Sequence, residues 1–237
     1  MSEKPILFSV PMVQAIMREY SPKTQTRRVI NPQPKSTPEF VANRYTWVHR
    51  YTSYALMDDE SVKRECAKVA PYQVGDILWV REPWFCKPCL PDCAGRENED
   101  ECPFKRAGEN CFGYKAQYSD GSRGIDVKWR PSIHMPRSAA RLFLQVTDVR
   151  AERVQDITPQ DAFAEGCDGR GSAPHDGASS DWQKEYDFSV EKFQTLWDAL
   201  NAKRGFGWDT NPWVWVYSFE LIEDHSKREV IPAQYPK

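Results

Sequence analysis

The sequence predicts an α+β fold, in which a small β-barrel is flanked by helices and carries a cysteine-rich insertion. Five or six segments have the patterning of strands, and only a few helical segments lie between them. The last of them, WVWVYSFELI, is apolar on both faces, which is typical of a central strand. We expect a single domain over residues 1–237, with insertions at about 31–70, 86–111 and 168–187.

The N-terminal half begins with a strand in KPILFSV and a helix in PMVQAIMREY, which has Pro11 in its first turn. The helical face that we expect to enter the core consists of Met12, Ala15, Ile16 and Tyr20. TQTRRVI reads as a second strand. Residues 31–70 contain prolines and predict a long loop or a small subdomain, and Gly75–Asp76 predicts a tight turn into a strand.

In the second half, YKAQYS predicts a strand, and ARLFLQVTDVRAERV predicts a long one. DITPQDAFAEG carries the signals of a short helix, because Thr158 suits the N-cap, Pro159 the first position, Asp161 the third and Gly166 the end. The Gly/Ser/Asp-rich stretch 168–187 predicts a mobile loop.

A second helix is predicted in SVEKFQTLWDALNAKRG, capped by Ser189 and ended by Gly205. In the closing strand, side chains alternate between two faces. One face carries Trp213, Trp215, Tyr217 and Phe219. We favour a core role for these rings over a platform on which bases stack.

The formal net charge of −2 excludes a strongly basic binder of the histone type. Basic residues nevertheless outnumber acidic ones in 1–50 and 121–150, whereas acidic residues dominate 151–200. A basic side of this kind can meet a phosphate-bearing ligand, although a chance distribution would look the same. The start MSEKPILFSV lacks a secretory core, and no apolar stretch is long enough to span a membrane, so we expect a soluble, cytoplasmic protein.

Five of the seven cysteines lie close together, at Cys86, Cys89, Cys93, Cys102 and Cys111. A CxxC pair with further cysteines nearby predicts structural Zn²⁺ held by four of the five thiolates. A metal would also supply folding free energy to a polar, charged insertion. Unligated thiols or a redox pair are the alternatives. Cys66 and Cys167 are isolated in the sequence.

The stretch KTQTRR, residues 23–28, concentrates cations and hydroxyls between the first helix and the second strand. It suits a catalytic site or a ligand-binding site without catalysis. The alternative is a basic strand edge that binds phosphate or simply keeps the edge soluble. Other candidates for ligand binding are Trp79, Arg81 and Glu82. Alternatively, Trp79 belongs to the core, and Arg81 and Glu82 form an ordinary surface pair. For Trp79 the core role is favoured.

His134 and Arg137 form a polar pair before the long strand and are further candidates for ligand binding. His134 could serve as a general base, but a hydrogen-bonded structural histidine is favoured.

As a set, the segments KPILFSVPMVQAI, KTQTRRVI, VGDILWVRE, WRPSIHMPRSAARL, ITPQDAFAEG and NPWVWVYSFEL resemble the ASCH domain of the PUA-like superfamily, above all phage and prophage proteins of that type. The resemblance covers most of the chain except the cysteine insertion and 168–187. It implies a PUA-like β-barrel with a cleft beside the first helix. It also implies an RNA, modified-DNA or nucleoside partner, met in the cytoplasm of a bacterial host.

One branch of that family hydrolyses the acyl amide of N4-acetylcytidine and has the signature K-T-x-T-x-R plus a glutamate. The resemblance therefore implies a catalytic set of Lys23, Thr26 and Glu165, with Arg28 completing the signature. Thr24, Arg27 and Arg28 are the motif's candidates for ligand binding.

In that set Thr26 would be the nucleophile and Lys23 the base that activates it. Burial or a cation from Arg27 or Arg28 would lower the pKa of Lys23, and Glu165 would position the lysine or shuttle a proton. Side chains in a strand alternate, so Lys23 and Thr26 can converge only if Lys23 precedes the strand.

Three hypotheses for function follow. The first is hydrolysis of a modified cytosine-type base. The second is a module that binds RNA or modified DNA without chemistry. The third is an adaptor that docks another protein through its zinc insertion.

Overall fold

The structure is a computed structural model, and it describes residues 2–20, 22–36, 45–47, 55–86, 112–117, 129–167 and 182–224. The strands there are β1 (Glu3–Leu7), β2 (Gln25–Val29), β3 (Lys35–Ser36), β4 (Tyr45–Trp47), β5 (Ala55–Met57), β6 (Ile77–Arg81), β7 (Trp84–Cys86), β8 (Phe112–Tyr114), β9 (Leu142–Arg153) and β10 (Trp213–Asp224). The α-helices there are α1 (Val10–Ile16), α2 (Asp59–Lys68), α3 (Pro159–Ala164) and α4 (Trp182–Asn201).

The fold is mixed α+β, but the predicted barrel is wrong. Five strands form an open sheet in the order β1-β6-β9-β10-β2; strands β3, β4 and β5 form a second sheet, and β7 and β8 form a third. Strand β1 pairs in parallel with β6, and β2 pairs antiparallel with β10. Since β1 and β2 end the order on opposite sides, the sheet does not close on itself.

Several predicted elements are confirmed. Strand β10 lies between β9 and β2, as an apolar run on both faces predicts. Helix α3 has the expected ends: Thr158 caps it, Pro159 begins it, and the Asp161 side chain completes a capping box. Gly166 follows with a φ of 87°, and Gly205 ends the region after α4 with a φ of 83°.

Other boundaries differ from the prediction. Helix α4 begins at Trp182, so Ser189 lies inside it and is not its cap, and 182–187 is helical. Residues 168–181 of the expected loop lie outside the described part of the chain. The strand expected in YKAQYS is wrong over most of its described length: only Tyr114 belongs to a strand, β8, and Lys115–Gln117 forms a 3-10 helix. Residues 118–119 lie outside the described part of the chain.

Helix α2 lies within residues 31–70, the stretch expected to be a long loop or a small subdomain. Asp58 caps it by accepting a hydrogen bond from the Ser61 backbone N–H, and Val62 and Cys66 are its buried side chains. In α1, Ala15 and Ile16 are buried as expected, and so is Val13. Tyr20, by contrast, lies beyond the helix and is 78% exposed.

The chain folds into two compact units. Unit 1 comprises Met1–Ser2, Ala15–Asp76 and Gln145–Glu220, and unit 2 comprises Glu3–Gln14, Ile77–Leu144 and Leu221–Lys237. That residues 1–237 form a single domain stays a prediction.

Every helix of the described residues is too short or too polar to cross a lipid bilayer.

In unit 1 the strands bury side chains on both faces. One cluster joins Val214 and Val216 of β10 to Phe193 and Trp197 of α4. A second cluster contains Ile30, Val62, Cys66, Ala151 and Trp213, and Trp215 packs against it. The expected core role of the β10 rings is confirmed for Trp213, Tyr217 and Phe219, which are all at most 2% exposed.

In unit 2 a smaller cluster is built around the β7–β8 pair. Trp84 and Tyr114 lie opposite each other in that pair, and Met135 and Ala139 pack with them. The Tyr114 hydroxyl donates to the Ala139 carbonyl at 2.8 Å, so the polar end of this buried ring has a partner.

Candidate functional site

Lys23 lies in unit 1 before β2 begins, as the catalytic hypothesis requires. Its backbone N–H donates to the Ala15 carbonyl at 2.9 Å. The N–H of Thr24 donates to the Ala164 carbonyl at 2.8 Å, and the carbonyl of Thr24 accepts from the Phe219 N–H. These bonds fix the main chain of the motif against α1, α3 and β10, while the Thr24 side chain is exposed.

Lys23 and Glu165 form a buried ion pair. Lys23 Nζ lies 2.5 Å from Glu165 Oε2 and donates to the Glu165 backbone carbonyl at 2.8 Å. The two residues are 1% and 5% exposed. The lysine therefore meets both a side-chain and a main-chain oxygen where α3 ends.

Gly166 makes this close approach possible. A Cβ at Gly166 would lie 2.8 Å from Ala15 Cβ and 3.4 Å from Lys23 Cβ, and its φ of 87° disfavours other residues. The chain can therefore turn directly after Glu165 and pack against α1.

Burial lowers the pKa of the Lys23 ammonium, because desolvation disfavours the charged form. The charge of Glu165 and its hydrogen bond oppose this effect, and the nearby charge of Arg28 adds to it. The net direction is downward, so Lys23 releases its proton more readily than an exposed lysine. The lowering expected from the sequence is thus found, with Arg28 as the contributing cation.

Thr26 is buried on β2, 1% exposed, and lies opposite Tyr217 of β10. Because side chains alternate, Thr26 and Arg28 share one face of the strand, and Gln25 and Arg27 share the other. In the part of the chain that the structure describes, no hydrogen bond joins the Thr26 hydroxyl to Lys23 or Glu165. The role of Thr26 as nucleophile stays a prediction.

Arg27 is committed to protein partners. Its Nε and Nη2 donate to Glu152 Oε1 at 3.0 and 2.5 Å, and Nη2 also lies 3.3 Å from Asp161 Oδ2. Its Nη1 donates to Gln25 Oε1 at 2.7 Å and to Glu165 Oε1 at 3.3 Å. Since every guanidinium nitrogen is engaged, a ligand would have to displace one of these partners.

Arg28 lies on the Thr26 face among aromatic rings. Burial lowers the pKa of its guanidinium, Tyr72, Glu165 and Tyr217 oppose this, and Arg204 adds to it. The rings of Tyr72 and Tyr217 meet edge to face, with centroids 5.1 Å apart. Burial raises the pKa of the Tyr217 hydroxyl.

Glu82, in unit 2, is not part of a surface pair. It is 0% exposed, and its carboxylate accepts two hydrogen bonds from Arg141, at 2.8 and 2.9 Å. Arg81 donates instead to the Met135 carbonyl at 2.9 Å, and its guanidinium lies over the Trp79 ring. Trp79 is only partly buried, so its assignment to the core is wrong; the core residues of β6 are Leu78 and Val80.

His134 and Arg137 also belong to unit 2, and both are exposed. A hydrogen-bonded structural histidine was favoured for His134. Its backbone N–H donates to the Pro131 carbonyl, but its side chain is exposed. Arg137 pairs with Glu3, and this hydrogen bond lowers the pKa of the Glu3 carboxyl.

The cysteine cluster lies almost wholly outside the described residues. Only Cys86 is placed, at the end of β7, and Cys89, Cys93, Cys102 and Cys111 fall outside. Within the described ranges, no three His, Cys, Asp or Glu side chains are grouped so as to hold a metal ion. Structural zinc therefore stays a prediction.

The isolated cysteines, Cys66 and Cys167, are buried free thiols. Burial raises the pKa of Cys66 to about 12 and that of Cys167 to about 11. Both thiols therefore stay protonated and are poor nucleophiles near neutral pH.

Sequence reasoning missed the acidic partners of Arg27 on β9 and α3. Near the end of β9, Arg150 and Glu152 are two positions apart and therefore lie on the same face of the strand. Asp161 was predicted only to cap a helix. Alternating charges at the end of an otherwise apolar strand could have indicated that these side chains share a face with something charged.

Comparisons with protein families, with curated proteins and with solved structures found no match to this chain.

Proposed function

We propose that unit 1 carries an amidohydrolase site that removes the acyl group from an N4-acylated cytosine-type base. The observation that carries the proposal is the buried Lys23–Glu165 pair, in which burial lowers the pKa of the lysine. A lysine whose pKa is lowered in this way gives up its proton more readily than an exposed lysine, as a general base must. The resemblance of KTQTRR to the ASCH signature supplies the substrate class.

The chemistry divides into two steps. Lys23 takes the hydroxyl proton of Thr26, whose oxygen attacks the acyl carbon. The C–N bond then breaks, and Lys23 gives this proton to the leaving exocyclic amine. Water next hydrolyses the acyl ester on Thr26, releasing the acid and restoring the hydroxyl. Glu165 holds the lysine throughout and stabilises its charged form whenever Lys23 carries the transferred proton.

Recognition of the base falls to the Thr26 face of the sheet. Arg28 is a cation suited to a base carbonyl or a phosphate, and the partly exposed ring of Tyr72 lies near it. This combination suits a polar nucleobase better than an apolar ligand.

The test is release of acid from N4-acetylcytidine and a panel of other N4-acylcytidines. Wild type should turn over at least one member, and Lys23→Ala should lose at least about a hundredfold in kcat, as expected for loss of a general base. The matched control is Lys63→Ala, since Lys63 pairs with Glu60 on the surface of α2 in the same unit. The assignment would be contradicted if the control lost turnover, or if Lys23→Ala kept the turnover of wild type.

The second candidate is a binding module for RNA or modified DNA. It is favoured by the engagement of Lys23 Nζ, which already donates to two oxygens of Glu165 instead of to Thr26. A module should show no turnover on any panel member, and its affinity for a nucleic acid should fall with added salt.

We also propose that the five clustered cysteines of 86–111 hold one structural Zn²⁺ through four thiolates. Support comes from the CxxC spacing and from the polar composition of the insertion. The insertion could also dock a protein partner, and this would make an adaptor of the chain. Changes at Cys86 and Cys89 would then abolish that interaction, whereas Lys23→Ala would not.

A further inference from the structure

Four charged side chains of unit 1 form a closed ring. Glu152 bridges the two arginines: its Oε1 accepts from Arg27, and its Oε2 accepts from Arg150 at 3.1 Å. Asp161 bridges them a second time, with Oδ2 at 3.3 Å from Arg27 and Oδ1 at 2.8 Å from Arg150. Signs alternate around the ring, and its charges sum to zero.

The ring is sheltered at Arg27 and open at Arg150. The side chain of Arg27 is 1% exposed, that of Glu152 13%, and that of Arg150 35%. Arg27 belongs to β2 and reaches across β10 to Glu152 on β9. A buried arginine held by two carboxylates on different elements has little freedom to move.

The ring touches the Lys23–Glu165 pair at one point. Nη1 of Arg27 donates to Glu165 Oε1 at 3.3 Å, while Lys23 Nζ holds Oε2 at 2.5 Å. The two cations thus divide the carboxylate between them. How strongly Arg27 attracts Glu165 depends on how fully Glu152 and Asp161 neutralise it.

We propose that this ring positions the Lys23–Glu165 pair: through Arg27 it holds one oxygen of Glu165 and leaves the other for the lysine, so that Glu152 and Arg150 are positioning residues. Neither needs to touch a ligand. That they serve the deacylation rests on the proposed function; that they set the state of the pair does not.

The sign of each expected effect follows from the charge removed. Glu152→Gln leaves Arg27 with excess positive charge, which draws Glu165 away from Lys23 and lowers the pKa of Lys23. Arg150→Gln leaves Glu152 and Asp161 to satisfy Arg27, which releases Glu165 to the lysine and raises that pKa. In the described part of the chain, the other charged or titratable groups near the pair are Arg28 on β2, Arg18 after α1, Cys167 after α3 and Lys192 on α4. None of them is changed in these variants.

The experiment is a pH titration of Lys23 Nζ by ¹⁵N NMR, with the resonance assigned by its loss in Lys23→Arg. We expect shifts of about one pKa unit in opposite directions for Glu152→Gln and Arg150→Gln. The matched control is Asp148→Asn: Asp148 lies 3.6 Å from Arg150 but is 57% exposed and outside the ring. Its removal should leave the titration unchanged, because solvent screens it.

Shifts of the same sign in both variants, or none in either, would overturn the proposal. Arg150 is the safer position for folding because it is partly exposed, so its variant decides the question if Glu152→Gln unfolds. On N4-acetylcytidine, Glu152→Gln should lower kcat by about a hundredfold with KM unchanged, as expected for misplacement of a reacting group. If wild type has no turnover, the proposed function fails, but the titration still decides the role of the ring.

Discussion

At the scale of a single residue, burial of the Lys23 ammonium costs free energy of folding but also changes its acid–base chemistry. A buried ammonium is tolerated only with close partners, and Glu165 supplies both a carboxylate and a carbonyl. The same burial lowers the pKa of Lys23 and makes it a candidate base. Both residues were expected from the resemblance of the motif to the ASCH signature, which stays a prediction. Their contact joins positions far apart in the chain and has no local pattern.

We expect Lys23→Met to cost about 3 kcal/mol of unfolding free energy, because it leaves the Glu165 carboxylate buried without its cation. The double variant Lys23→Met/Glu165→Gln removes both charges and should be more stable than the single one. Urea unfolding at neutral pH measures both. A double variant less stable than Lys23→Met would show that the pair is not coupled as its geometry indicates.

At the scale of elements, the end of α3 determines where Glu165 points. The Thr158 cap and Gly166 were predictable because capping and left-handed turns depend on neighbouring residues. The packing of Gly166 on Ala15 was not, since it joins α3 to α1. Helix α2 was not predicted as an element of its own, although Asp58 caps it, because residues 31–70 were read together as a long loop or a small subdomain.

Gly166 and Gly205 both have a positive φ, so substituting each of them distinguishes the cost of backbone strain from the cost of a packing clash. Gly166→Ala and Gly205→Ala should each cost about 1 kcal/mol for a positive φ. At Gly166 the new Cβ also meets Ala15 Cβ at 2.8 Å, whereas nothing lies within 4 Å of one at Gly205. Thermal unfolding should therefore rank Gly166→Ala as clearly the less stable, and Gly166→Ala should also reduce turnover. Equal stabilities would mean that Gly166 is not in tight contact with α1.

The cysteine insertion is the element for which composition predicts most. We expect one Zn²⁺ per chain in the purified protein and its loss in Cys86→Ser/Cys89→Ser, because a structural site requires all four thiolates. Metal analysis by mass spectrometry gives the stoichiometry, and Cys66→Ser is the control because Cys66 is a buried free thiol of α2. Metal-free wild-type protein purified without chelator would contradict the zinc assignment.

At the scale of the whole molecule, local patterns identified strands but not their partners. The alternation in β9 and β10 predicted two long strands, and both are present. Whether the outermost strands meet depends on pairing between distant segments, and the separation of β1 from β2 by three strands leaves the sheet open. The ring of charged side chains through Arg27 was not predicted for the same reason, because it joins β2, β9 and α3.

The measurement that tests the central claim most directly is single-turnover hydrolysis of N4-acetylcytidine by wild type and by Lys23→Met/Glu165→Gln. The double variant removes the buried pair without leaving an unpaired charge, so loss of activity cannot be assigned to unfolding once its melting is checked. We predict acetate release by wild type and none by the folded double variant. Equal release by both proteins, or none by wild type, would contradict the assignment of Lys23 and Glu165 to an amidohydrolase site.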